Sequence, residues 1–349
     1  MSGAWHAAGQ VWPAFVLVAG LLLVGVVAEE DGLFAAAGAL LARAPGGTRA
    51  AYLLSLALVA VVTAILNLDT SVFFLTPVLL HLARARGIDE KPFLYGAVMM
   101  SNAASLFLPG SNLTNLIALH GEHVSGAEFL SRMWAAALTA AAVTALVLLV
   151  LFRRELGRPP SAEEERANVR YGIGLAAIAA ATVLVLVLRN PALPALGIGL
   201  AAVVLRRVPR ARLAAAIDLR VLGGLFVVAV GLGALGRWWT GPASFLDRRG
   251  RIGTAVTGVV AALGVNNLPA AVLLTPHPPL HARALLLGLN LGPNLAVTGS
   301  LSAFLWLRVA RSLDARPSAR EYSRIGAVVV PLSLAAALAA LWLVEPGRV

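Results

Sequence analysis

Asp69 is the acidic residue that stands well inside an apolar block in the first half of this chain. On insertion scales a carboxylate at a bilayer centre costs about 2.5–3.5 kcal/mol, so such residues mark ion or proton pathways. Burial disfavours the charged form, which brings protonation within reach of neutral pH. A structural role competes with this one. At the start of a helix over 71–82, Asp69 would cap the N-terminus and meet the helix dipole. Around it the sequence sets amides and hydroxyls: Asn67, Thr70, Ser111, Asn112, Thr114 and Asn115, then Asn266, Asn267, Asn294, Thr298 and Ser300 in the second half. These groups can hydrogen-bond an oxygen-rich solute, or they can simply repair backbone hydrogen bonding where a helix breaks.

Other clusters carry less. Gly231, Gly233 and Gly236 match a dinucleotide-binding spacing, but no strand precedes them and the run is apolar, which reads as close helix packing. His277 and His281 are separated by Pro278 and Pro279, which prevents a helical metal face. His120, Glu122 and His123 form a small cluster at a helix end, open to an interfacial metal or a proton relay. Trp5, Trp12, Trp134, Trp238 and Trp239 lie near run ends, as interface anchors do. There are no cysteines, so disulfides, thiolate metal sites and cysteine catalysis are excluded. No HExxH, paired acids on one helix or nucleophile–base pair argues for an enzyme, and no cofactor or metal is implied.

The polar residues recur in pairs. Asn67-Leu68-Asp69-Thr70-Ser71-Val72 leads to Thr76-Pro77, and Asn266-Asn267-Leu268-Pro269-Ala270-Ala271 leads to Thr275-Pro276 at the same spacing. Each block is followed by an apolar run broken by Gly, Pro and Asn. The first break is Pro109-Gly110-Ser111-Asn112-Leu113-Thr114-Asn115, and the second runs from Asn290 to Ser300. Backbone in hydrocarbon must satisfy its own polar groups, so helices break there only within protein or along a cavity. Paired breaks in two halves point to a transporter binding site.

The elements that position these residues are set by composition. Hydrophobic residues make up 59% of the 349 and charged residues 13%, with mean hydropathy +0.83. A soluble domain averages about 45–50% apolar and about 25% charged. The runs are continuous rather than alternating, which excludes a barrel. Apolar segments fall at 12–28, 32–44, 50–66, 71–82, 93–120, 133–152, 171–188, 190–206, 219–236, 251–265, 268–276, 283–307 and 324–344. Val26-Val27-Ala28 faintly resembles a leader cleavage site, but no basic residue precedes Arg43, so the first run reads as a retained helix. The net charge of +11 does not read as nucleic-acid binding, because the arginines sit in short loops.

The blocks Asn67–Pro77, Ser101–Leu119, Asn266–Pro276 and Gly288–Trp306 resemble the arsenite efflux permeases of the ion transporter superfamily. More distant relatives there are divalent-anion:sodium symporters and NhaD-type antiporters. The resemblance covers about 50–307. It implies an all-α polytopic membrane protein of two inverted-topology repeats, each a hairpin followed by a broken transmembrane helix. The hairpins are then 50–82 and 251–276, with tips at 67–70 and 266–269, and the broken helices are 93–120 and 283–307. The repeats occupy 1–152 and 171–349, joined by a cytoplasmic linker at 153–170. The implied function is proton-coupled efflux of arsenite or antimonite across the bacterial plasma membrane, with Asp69 coupling the proton and the polar set above binding substrate. A sodium- or proton-coupled carboxylate or anion carrier and a sodium/proton antiporter stay open on the same scaffold. A homodimer and an arsenical pump ATPase subunit are the partners the resemblance implies. At the first tip this chain has Asn67-Leu68-Asp69 where the commoner arsenite pattern has adjacent Asn and Asp.

Following the crossings in this order gives nine full spans and two hairpins, with Glu29, Glu30 and Asp31 in a solvated turn. Arg43, Arg49, Arg84, Arg86, Lys91 and the five arginines in each of 153–170, 206–220 and 308–324 then share one side, twenty of the 28 cations. The positive-inside rule makes that side cytoplasmic. If 12–28 and 32–44 form one broken crossing instead, the N-terminus lies outside.

Overall fold

A computed structural model describes residues 2–43, 47–120, 124–157, 172–216 and 219–344. Most of the expected linker, and Glu122 and His123, lie outside these residues. The described chain is helical: α1 (Ser2–Glu30), α2 (Leu33–Ala42), α3 (Gly47–Ile65), α4 (Leu68–Ala85), α5 (Glu90–Ala104), α6 (Leu113–Ala118), α7 (Gly126–Leu151), α8 (Ile173–Val187) and α9 (Ala192–Arg206). There follow α10 (Arg210–Ala216), α11 (Leu219–Trp238), α12 (Gly241–Asp247), α13 (Arg251–Val265), α14 (Asn267–Leu274), α15 (Ala282–Leu291), α16 (Leu301–Ser312) and α17 (Ala319–Val344). Six helical stretches among the described residues are long and apolar enough to cross a membrane. Large apolar side chains such as Val227, Leu138 and Leu146 face outward, as a lipid-solvated surface requires.

The expected hairpins and breaks form. α3 and α4 make the first hairpin, and α13 and α14 the second, turning at Asn67 and Asn266. The helix over 93–120 breaks between α5 and α6, and that over 283–307 between α15 and α16, through short 3₁₀ turns at Pro109–Ser111, Gly292–Leu295 and Val297–Gly299. The halves interleave. α1 packs along α9, and α7 along α17. Gly288 and Gly326 make two close approaches. A Cβ at Gly288 would strike the Ala255 carbonyl on α13, and one at Gly326 would strike the carbonyl of Asn294 in the second break.

The first two helices depart from the sequence reading. α1 and α2 do not make two crossings. α1 runs parallel to α9: Gly20 lies against Ala195, Leu23 against Gly199, and Asp31 against Arg206. α2 continues toward the same arginine-rich end along α4, with Phe34 stacked on Phe74 at 5.2 Å and Gly38 against Val78. The Arg86 guanidinium donates to the Ala42 carbonyl there. A ten-residue helix spans about 15 Å, half a hydrocarbon core. The two therefore run one after the other toward the same end, bent at Gly32 (φ 74°), rather than back and forth as two crossings.

Asp31 is consequently not in a solvated turn on the arginine-poor side. It is 4% exposed and accepts from Arg206 Nε at 2.5 Å and the Gly174 N–H at 2.6 Å. Arg212 pairs with Glu30 at 3.3 Å. Arg206 lies 175 residues downstream of Asp31, and Arg212 is as remote from Glu30, so sequence proximity could not show these pairs. The N-terminus moves to the arginine-poor end. The charge count survives, because no Lys or Arg precedes Arg43.

Candidate functional site

Four helices start at the centre of the molecule, and a side chain caps each. Asn67 Oδ1 accepts the Thr70 N–H at 2.7 Å and caps α4. Asn112 caps α6 through the Thr114 N–H at 3.0 Å. Asn266 caps α14 through Leu268 N at 3.4 Å, and Ser300 caps α16 through Ala303 N at 3.2 Å. A helix N-terminus carries about half a positive charge and exposes unpaired N–H groups, an effect that needs a few turns and is strongest for α4 and α16.

Residues from all four helix starts line one cavity of about 510 Å³. Its polar lining is Asp69, Asn112, Thr114, Asn267, Ser302, Arg308 and Ser312; Val18, Leu22, Phe73, Leu222, Leu225 and Phe304 supply apolar walls. Ala214 on α10 and Ser312 at the end of α16 carry the cavity from the helix breaks toward the arginine-rich end. Among the described lining residues only Asp69 and Arg308 are charged. Asp69 accepts the Ser302 hydroxyl at 2.6 Å, and no cation among the described residues pairs with it.

Capping of α4 thereby falls to Asn67 and not to Asp69. Asn67 is the cap of α4, whereas Asp69 stands in its first turn with its side chain in the cavity. The carboxylate is not committed to holding the backbone.

Most of the remaining expected residues belong to a buried scaffold. Asn290 is its centre: Oδ1 accepts from Ser105 Oγ at 2.6 Å and Asn112 Nδ2 at 2.7 Å, and Nδ2 donates to Asn115 Oδ1 at 2.7 Å. Asn115 also donates to the Ser105 carbonyl at 2.7 Å. Asn294 accepts from Asn102 Nδ2 at 2.8 Å and donates to the Met99 carbonyl at 3.1 Å. Thus the two breaks are bonded to each other. Ser111 donates to the Ala64 carbonyl at 3.0 Å, and Asn266 Nδ2 donates to the carbonyl of Thr298, whose own side chain is exposed. Thr70 is fully buried beside Gly25. At the first tip, Asn67 Nδ2 and Thr70 Oγ1 are buried without a partner among the described residues.

Of the twelve polar residues singled out from sequence, Asp69, Asn112, Thr114 and Asn267 line the cavity. The reading missed Ser302, Arg308, Asn102, Ser105 and Asn290. The spacing held a signal for two of them. Asn102 stands ten residues before the cap Asn112, and Asn290 ten before the cap Ser300. By this register Asn112 corresponds to Ser300 rather than to Asn294.

The helical bundle, the two broken helices and the cavity at the helix starts define a multi-pass membrane transporter. Residues 4–304 match the family described as citrate transporter, and the chain belongs to it. It is 25% identical to the arsenical pump membrane protein of Yersinia enterocolitica, over 95% of this chain and 86% of that protein. It is 29% identical to the silicon efflux transporter LSI3 of Oryza sativa subsp. japonica over 41% of this chain and 30% of that one. Among solved structures, the Alcanivorax borkumensis YdaH transporter has the same fold, with a TM-score of 0.62 over 99% of this chain and 88% of that one at 14% identity.

Proposed function

We propose that this chain exports arsenite or antimonite in exchange for protons across the bacterial plasma membrane, with Asp69 as the proton carrier. The observation that carries the reading is the place of Asp69: the one acidic residue among the described lining of a cavity of helix starts, hydrogen-bonded to Ser302 and relieved of capping by Asn67. Arsenous acid is neutral near pH 7 and presents hydroxyls. Asn112, Thr114, Asn267 and Ser302 offer amide and hydroxyl partners for them, and the helix starts complement electron-rich oxygens. A lining without thiols lets a thiophilic solute leave. The names of the arsenical and silicon relatives agree with a small hydroxylated metalloid acid.

In this reading the two halves are inverted repeats, the cytoplasm lies at the arginine-rich end, and the cavity faces it. Asp69 releases its proton there, substrate enters, and the hairpins shift to open the site on the other side. Everted vesicles test it, with labelled arsenite, antimonite, citrate and sodium, and with the proton gradient collapsed as control. Gradient-dependent arsenite or antimonite accumulation is expected. Accumulation of citrate or sodium instead would overturn the substrate assignment. Single cysteines placed in 153–157 or at 207–209 should resist an impermeant thiol reagent added to intact cells; labelling there would reverse the orientation.

A further inference from the structure

Arg308 belongs to α16, six residues beyond Ser302, so its backbone lies about 9 Å further toward the arginine-rich end. Its side chain is exposed to the cavity it lines, and no hydrogen bond or ion pair holds it among the described residues. An arginine is charged at every physiological pH. The cavity therefore has a titratable carboxylate at its inner end and an unpaired fixed cation on the wall leading to its mouth.

Other charges near Asp69 are engaged or remote. α4 packs against α1, α2, α3, α5 and α16. On α4 itself, Arg84 pairs with Glu90 of α5 at 2.8 Å, and His81 lies three turns away from Asp69. Lys91 of α5 pairs with Glu321 at 3.3 Å. Arg49 of α3, Glu29 and Glu30 of α1, Arg311 of α16 and Arg220 of α11 are all absent from the cavity lining, and α2 carries no charge. Among the described residues, Arg308 is the one cation that lines the cavity with Asp69.

We propose that Arg308 is a positioning residue for proton exchange: a fixed positive charge on the cavity wall that favours the ionised form of Asp69 and so promotes release of its proton. The inference rests on Asp69 as the proton carrier. Without the guanidinium, the carboxylate would hold its proton to higher pH, and discharge would stall at the pH where the wild type turns over. A unit charge about 10 Å away at an effective dielectric of about 20 shifts a titration by roughly one pH unit.

The test needs no substrate. Purified protein in proteoliposomes is titrated by infrared spectroscopy, and the carboxyl band missing from Asp69→Asn is assigned to Asp69. Its midpoint should rise by roughly one pH unit in Arg308→Gln and return in Arg308→Lys. A merely structural role for Arg308 would leave that midpoint unmoved while lowering the melting temperature. An unchanged midpoint in Arg308→Gln, or no titrating Asp69 band in the wild type, overturns the proposal. Failure of the arsenite flux assay with a normal midpoint shift would instead remove only the substrate.

Discussion

The two hairpin tips share a frame and differ in content. Counting from the capping asparagines, Asn67-Leu68-Asp69-Thr70 stands against Asn266-Asn267-Leu268-Pro269, so the place of Asp69 is taken by Leu268, and both line the cavity. The first tip rests on helices of 19 and 18 residues, the second on helices of 15 and 8. At the first, Asn67 is extended (φ −178°) and two polar atoms are buried without partners. At the second, Asn266 has φ 76° and ψ 150°, a region nearly reserved for glycine, and its amide is tied to the Thr298 carbonyl. The first tip brings a carboxylate to the cavity, and the second turns on a strained but bonded asparagine. A repeated frame therefore does not imply repeated chemistry: at the matched position one tip brings a carboxylate to the cavity and the other a leucine.

The strongest way to break this comparison is to exchange the titrating position. Asp69→Asn should reach the membrane and lose gradient-driven efflux, whereas Leu268→Asn should keep it. Asp69→Ala should be as inactive as Asp69→Asn and less stable than it only by the lost Ser302 hydrogen bond, about 0.5–1.5 kcal/mol, because Asn67 retains the cap of α4. Vesicle flux and thermal melts measure both. Wild-type pH-dependent flux in Asp69→Asn would return Asp69 to a structural role.

A second contrast lies in the scaffold. Asn290 and Asn102 occupy the same register, ten residues before a cap, but Asn290 serves Ser105, Asn112 and Asn115 while Asn102 serves Asn294 and has an unpartnered oxygen. An orphaned buried polar group costs about 1–3 kcal/mol. Asn290→Ala should therefore lower stability by several times that unit, and Asn102→Ala by about one such unit. Equal melting shifts in detergent would show that the network is not centred on Asn290.

The smallest expected effect is the sharpest on geometry. Asn67→Gly should destabilise slightly, since glycine caps only a few tenths of a kcal/mol worse than asparagine but frees an ordinary extended residue. Asn266→Gly should be neutral or stabilising, because relief of about 1–3 kcal/mol of backbone strain offsets the lost side-chain bonds. The sign of the difference in melting temperature decides it.

The sequence by itself determined the solvent of this protein, its helices, the places where two of them break, the Asn-led turns and the singularity of Asp69. These are local: run length, a Gly or Pro in hydrocarbon and a polar cap declare themselves within a few residues. The tertiary structure alone decided which amides line the cavity and which mend backbone. It placed Asn115 and Asn294 in the scaffold and brought Ser302 to Asp69 from 233 residues away. It also turned Asp31 toward Arg206 and so moved the N-terminus to the other end. A side chain's partner across a bundle depends on which helix faces which. That is fixed by close approaches such as Gly288 on Ala255, made between residues that no sequence window contains together.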